Sequence, residues 1–196
     1  KRHSFVLPML ALASALTLVS CSTKPATLGS PSNPIIVAFE PAGTSQQITA
    51  SGQSLLDLLS KATGLTFKGV VPTSYSALTE AMGSGNAQIG WMATFNYILA
   101  HEKGYADVAL ITKRFGTENY GAEFLANVAS GFKPAPQIPA ADADLPTLLQ
   151  FKGKRVCFSD EQSTSGHVVP LIFMKKAGLT DADIPTPVYA GGHTQV

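Results

Sequence analysis

The chain has 196 residues, 45% hydrophobic and 14% charged, with 14 Lys and Arg against 13 Asp and Glu. A chain this long and this apolar can bury a core, which argues against intrinsic disorder. A net charge of +1, without basic or acidic blocks, leaves no electrostatic case for nucleic acid as a partner.

The start is a different material from the rest. Lys1-Arg2-His3 is basic, and residues 5–18 form an almost unbroken apolar run. That run is shorter than the roughly 20 residues of a membrane span and fits the core of a signal peptide. It ends in Leu18-Val19-Ser20-Cys21, which resembles the lipobox of bacterial lipoproteins. Residues 1–21 are therefore expected to be a lipoprotein signal peptide, with the lipid on Cys21. The protein is expected to be exported, anchored at the outer face of the cytoplasmic membrane or in the periplasm. Cys157 then has no partner for a disulfide, and its apolar neighbours suggest a small core residue.

Residues 22–34 hold Pro25, Gly29, Pro31 and Pro34 among Ser, Thr and Asn, the composition of a flexible tether. Ile35-Ile36-Val37-Ala38-Phe39 then reads as a buried strand of parallel-sheet type. A turn through Pro41 and Gly43 leads to a helix with Leu55, Leu56, Leu58 and Leu59 on its apolar stripe and Gly64 as its stop. Strand signals follow at 65–71, 88–92 and 108–112, and helix signals at 74–82 and 94–103. This alternation predicts an α/β unit with a mostly parallel sheet and right-handed crossovers. Residues 120–127 have the look of a strand leaving that unit. Four prolines make 133–146 a loop, and Leu148 to Phe151 form a short helical turn. Further strands are expected at 155–158 and 185–190, with a helix over 168–177 closed by Gly178. Trp91, at a strand end, is expected in the core.

The stretch from Phe158 to Pro170 is the densest in chemistry. Ser163, Thr164, Ser165 and Gly166 stand between a strand and a helix, where hydroxyls cap free N–H groups. The same N–H groups, at the positive end of the helix dipole, can hold an anion. The residues alone leave two readings open: an ordinary cap with nothing bound, or an oxyanion cradle built without lysine.

From Ile35 to Val196 the sequence resembles the phosphonate, phosphite and phosphate-binding proteins of bacterial ABC importers, of the type-2 periplasmic-binding-protein class. The resemblance rests on Phe39-x-Pro41, Thr73-Ser74-Tyr75-Ser76-Ala77-Leu78, Gly85-x-Ala87-x-Ile89-Gly90 and Tyr97-x-x-Ala100. It continues through Leu149-x-x-Lys152-Gly153-Lys154-Arg155-Val156-x-Phe158 into Ser163-Thr164-Ser165-Gly166-x-x-x-Pro170, and ends at Gly191-Gly192-His193. It implies a two-lobed α/β fold, with lobes at 35–119 and 120–196 and the second lobe incomplete at Val196. It also implies capture of a phosphorus oxyanion between the lobes and delivery to an ABC permease by a monomer without cofactor. On that resemblance Ser163, Thr164 and Ser165 form the cradle, and Tyr97, Tyr75 and His193 join it. Ser74 stands where relatives often carry Asp and is expected only to cap its helix. Thr194 stands where the family's turn usually carries Asp, which argues against an aminophosphonate. Glu40 and Glu123 are candidates for the missing carboxylate, although the sequence does not place them.

The rival readings are a sulfonate or another small anion in the same fold, or a sensory receptor lipoprotein in place of an importer component. An enzyme finds little support. There is no Gly-x-Ser-x-Gly elbow, no Walker A and no Gly-x-Gly-x-x-Gly, and His167 beside Ser163 has no triad meaning by local spacing alone. The scattered histidines suggest no metal site.

Overall fold

A computed structural model describes residues 26–133 and 145–196. The signal-peptide region, Cys21 and most of the proline-rich loop lie outside the described residues. The described part of the expected tether is a hydrogen-bonded turn rather than free chain. Gly29 N donates to Asn33 O at 2.8 Å, and Thr66 N donates to Gly29 O at 2.8 Å.

The first sheet is parallel, in the order β2-β1-β3, with β1 (Ile35–Phe39) between β2 (Phe67–Val70) and β3 (Ile89–Trp91). Its register pairs Ile35 with Phe67 and Val37 with Ile89. A central parallel strand is covered on both faces, so β1 needs the continuous apolar run it has. Helix α1 (Ser45–Thr63) packs on one face, where Val37, Phe39 and Leu56 form a core with Ile48 and Phe67. Thr44 caps its first turn, and Gly64 ends it in the left-handed conformation at φ 73°. Helix α2 (Tyr75–Gly83) covers the other face through Leu78, packed with Ala38 and Ala87. Ser74 accepts from Ala77 N at 3.1 Å, the capping role expected of it. Helix α3 (Thr94–Glu102) follows β3.

The second sheet pairs β4 (Cys157–Phe158) with β5 (Val188–Tyr189) in parallel. A single π-type turn, Thr164–Val168, leads into α4 (Val169–Lys176), so the helix expected from 168 begins with a wider turn. Short 3-10 turns stand at Val128–Ser130, Leu145–Phe151 and Asp181–Asp183. Val156, Phe158, Met174, Leu179 and Ile184 form the second core, with Phe124 and Phe151 packed against it.

Four further expectations are corrected. Residues 108–112 form no strand; Leu110 is 92% exposed, and among the described residues no neighbouring strand satisfies this segment's backbone. Residues 120–127 are not a strand either, but an extended loop whose Phe124 ring stands 5.5 Å from Phe151. Cys157 is exposed, because strand side chains alternate and its neighbours Val156 and Phe158 take the inward positions. Trp91 is 43% exposed, with its ring 6.3 Å from Phe39.

Candidate functional site

The hydroxyl stretch sits where the two sheets' units meet. Asp160 shapes the approach: its side chain accepts from Gln162 N at 2.8 Å, and its carbonyl accepts from Ser163 N at 3.0 Å. Ser163, only 1% exposed, accepts from Gly166 N at 3.1 Å and caps the π turn. The N–H groups of Thr164 and Ser165 open that turn and have no intrahelical acceptor.

Thr164 crosses to the other unit. Its Oγ1 accepts from Phe95 N at 2.7 Å, in the first turn of α3. Ala93, the N-cap of α3, has no side-chain cap of its own. Two helix starts therefore face one another, joined by a neutral hydroxyl. A hollow of about 480 Å³ runs beside this junction, lined by Thr94, Tyr120, Thr164, Ser165, Val169 and Phe173.

Tyr75 is buried at the start of α2, with the Ser163 hydroxyl nearby. Burial above all, then the Glu40 charge, pushes its phenol well above the ordinary value, against the pull of the nearby Ser163 hydroxyl, so it stays protonated. His193 Nε2 lies 3.4 Å from Ser163 Oγ, and His193 N donates to Ala42 O at 3.2 Å. Ser163, Thr164, Ser165, Tyr75 and His193 thus gather around one junction. Tyr97 stands on α3 with its ring stacked on His101 at 5.6 Å, and no hydrogen bond joins it to the others. His167 is engaged elsewhere: Nδ1 donates to Glu161 O at 2.8 Å, and Nε2 accepts from Tyr189 Oη at 3.2 Å.

Glu40 joins this group, a position that strand and turn patterns in the sequence did not reveal. Both its oxygens accept from Ala93 N at 3.0 Å, and one accepts from Asn96 Nδ2 at 3.2 Å. Asn96 is fully buried; its Oδ1 accepts from Thr79 at 2.7 Å, which aims its amide N–H groups at Glu40 and at Tyr75 O. Burial pushes the Glu40 carboxyl up to about 7 from 4.5, aided by the Asp160 charge and opposed by the Ala93 and Asn96 bonds. The folded protein therefore holds this proton more tightly than the unfolded chain. Glu40's contribution to stability is full below about 4.5 and is lost as pH rises through about 7. Melting curves of the ligand-free protein are expected to show a midpoint that falls from about pH 5 to about pH 7.5, with E40Q flattening that slope. An equal slope in both proteins would place the pH dependence elsewhere.

Residues 37–196 match the family described as "ABC transporter, phosphonate, periplasmic substrate-binding protein". The chain is similar to the phosphate-import protein PhnD of Mycolicibacterium smegmatis, 30% identical over 169 residues that cover 81% of this chain and 49% of that protein. Among solved structures it is similar to PhnD1 of Prochlorococcus marinus in complex with methylphosphonate, at TM-score 0.60 and 16% identity, covering 81% of this chain and 56% of that one. It is similar also to a binding protein component of an ABC phosphonate transporter from Pseudomonas aeruginosa, at TM-score 0.61 and 19% identity, covering 82% and 51%. The chain thus spans about half the length of these relatives. At these identities the solved structures speak for a shared fold, the two-lobed α/β architecture of type-2 periplasmic binding proteins. With the match over residues 37–196, the chain belongs to the phosphonate periplasmic substrate-binding family of ABC transporters.

Proposed function

We propose that this protein captures a phosphorus oxyanion (phosphonate, phosphite or phosphate) between lobes at 35–119 and 120–196 and delivers it to an ABC permease. The observation that carries the reading is the pair of facing helix starts, bridged by the Thr164 hydroxyl on Phe95 N. An oxyanion in that position accepts N–H groups from both lobes, and closure strips its water and strengthens each dipolar contact. Ser163, Thr164 and Ser165 supply the cradle, the protonated Tyr75 phenol and the His193 ring close it, and Tyr97 covers its edge. Binding and release, rather than turnover, are the chemistry of such a site.

The test is a thermal-shift panel on the full-length protein with phosphite, phosphate, methylphosphonate and 2-aminoethylphosphonate against sulfate and taurine. A ligand at a hundredfold over its dissociation constant adds about 2.7 kcal/mol, a readable rise in the midpoint. A rise with taurine or sulfate and none with any phosphorus compound would overturn the ligand assignment.

The family places the protein outside the cytoplasm, and we propose further that it works there as a lipid-anchored monomer, held through Cys21. In a bacterial host, Cys21→Ser is expected to move the protein from the membrane fraction to the soluble exported fraction. Retention of the variant on the membrane would sink the lipid anchor.

A further inference from the structure

The oxyanion site described above contains two carboxylates, Glu40 and Asp160, close enough for each to raise the proton affinity of Glu40 or Tyr75. Among the described residues neither forms a salt bridge with lysine or arginine. An ionised Glu40 already occupies the start of α3, because both its oxygens take the Ala93 N–H. A second anion at that helix start meets like charge in a desolvated setting, where repulsion is least screened.

Protonation reverses this role. One oxygen still accepts from Ala93 N–H, while the other becomes an O–H donor. Asn96 cannot turn to compensate, because Thr79 and the Tyr75 carbonyl hold its amide at 2.7 Å and 3.3 Å.

We propose that Glu40 is a proton-responsive specificity residue of the site: protonated, it donates to the bound oxyanion, and ionised, it excludes that anion from the start of α3. The inference rests on the oxyanion reading given above. The charged or titratable groups around Glu40 are Asp160 from the loop after β4, the Tyr75 phenol from α2, and His193 from the terminal turn whose N–H reaches Ala42 O at 3.2 Å. Helix α3 and strand β3 meet Glu40 through neutral groups, the Asn96 amide and the Trp91 carbonyl. Capture is thereby linked to uptake of one proton by Glu40.

The test measures methylphosphonate affinity by calorimetry on the full-length protein at about pH 6 and about pH 8, for wild type and for E40Q. The ligand's own ionisation in solution is common to both proteins and cancels in the ratio of their dissociation constants. Glutamine keeps an acceptor for Ala93 and a permanent N–H donor. The ratio of wild-type to E40Q dissociation constants is expected to rise about tenfold between the two pH values. E40A, which has no donor, is expected to bind more weakly at pH 6 but to lose the same pH dependence. An unchanged ratio in both variants, with binding intact, overturns the role of Glu40 and leaves the oxyanion reading standing. No binding by well-folded wild type at either pH overturns the oxyanion reading itself.

Discussion

Replacing Ser163 and Thr164 together by alanine is expected to weaken methylphosphonate binding by roughly a hundredfold to ten-thousandfold. Hydrogen bonds to a charged partner contribute about 1.5–3 kcal/mol each, and two are lost. The substitutions remove more than ligand contacts. Without Ser163 Oγ, Gly166 N loses the acceptor at 3.1 Å that caps the π turn. Losing such a cap costs about 1 kcal/mol of stability. Without Thr164 Oγ1, Phe95 N loses its acceptor at 2.7 Å across the junction. Calorimetry and a melting curve on the same sample separate these effects, because the cap acts on the midpoint and the ligand contacts act on affinity. A folded double variant that binds within threefold of wild type would remove the hydroxyl cradle from the account.

Gly166→Ala is expected to be the most damaging single-methyl change in the second lobe. A Cβ there collides with Ser159 Oγ and stands 2.7 Å from Ser159 Cβ and 2.9 Å from Ser163 Oγ. Ser159 is fully buried, so it cannot swing into solvent. Forcing an extra methyl into packed surroundings costs about 1–3 kcal/mol. Here the displaced group includes the capping serine, so affinity falls together with stability. Ser159 Oγ also lacks a hydrogen-bond partner among the described residues. S159A alone is therefore expected to be nearly neutral, and S159A with G166A to recover part of the lost midpoint. A G166A protein that melts and binds like wild type would show that this turn has room the geometry denies.

The elements that read well from sequence are those whose causes are local. The run from Ile35 to Phe39 is a strand because each of its residues suits a doubly covered sheet, and the structure gives β1 those same bounds. Ser74 and Gly64 act through their own backbone chemistry, and each ends or starts its helix as expected. The Ser163 to Gly166 stretch was legible as a helix start for the same reason. What escaped depends on distant partners. Residues 108–112 have strand-forming side chains, but a strand also needs a neighbour to pair with. Cys157 follows a rule that was available, since alternation about the inward Val156 and Phe158 already puts it outside. Glu40 was one of two candidate carboxylates, but no local pattern placed it. Its place in the site comes from Ala93 and Asn96, which lie 53 and 56 residues further along the chain.

The bond from Phe95 N to Thr164 Oγ1 ties the two units together through neutral groups. A bond between neutral groups contributes only about 0.5–1.5 kcal/mol, and an anion in its place about 1.5–3 kcal/mol. A difference of about 1.4 kcal/mol is tenfold in population. On the proposed function, an anion at this junction is therefore expected to hold the two units together more firmly than the hydroxyl bond does alone.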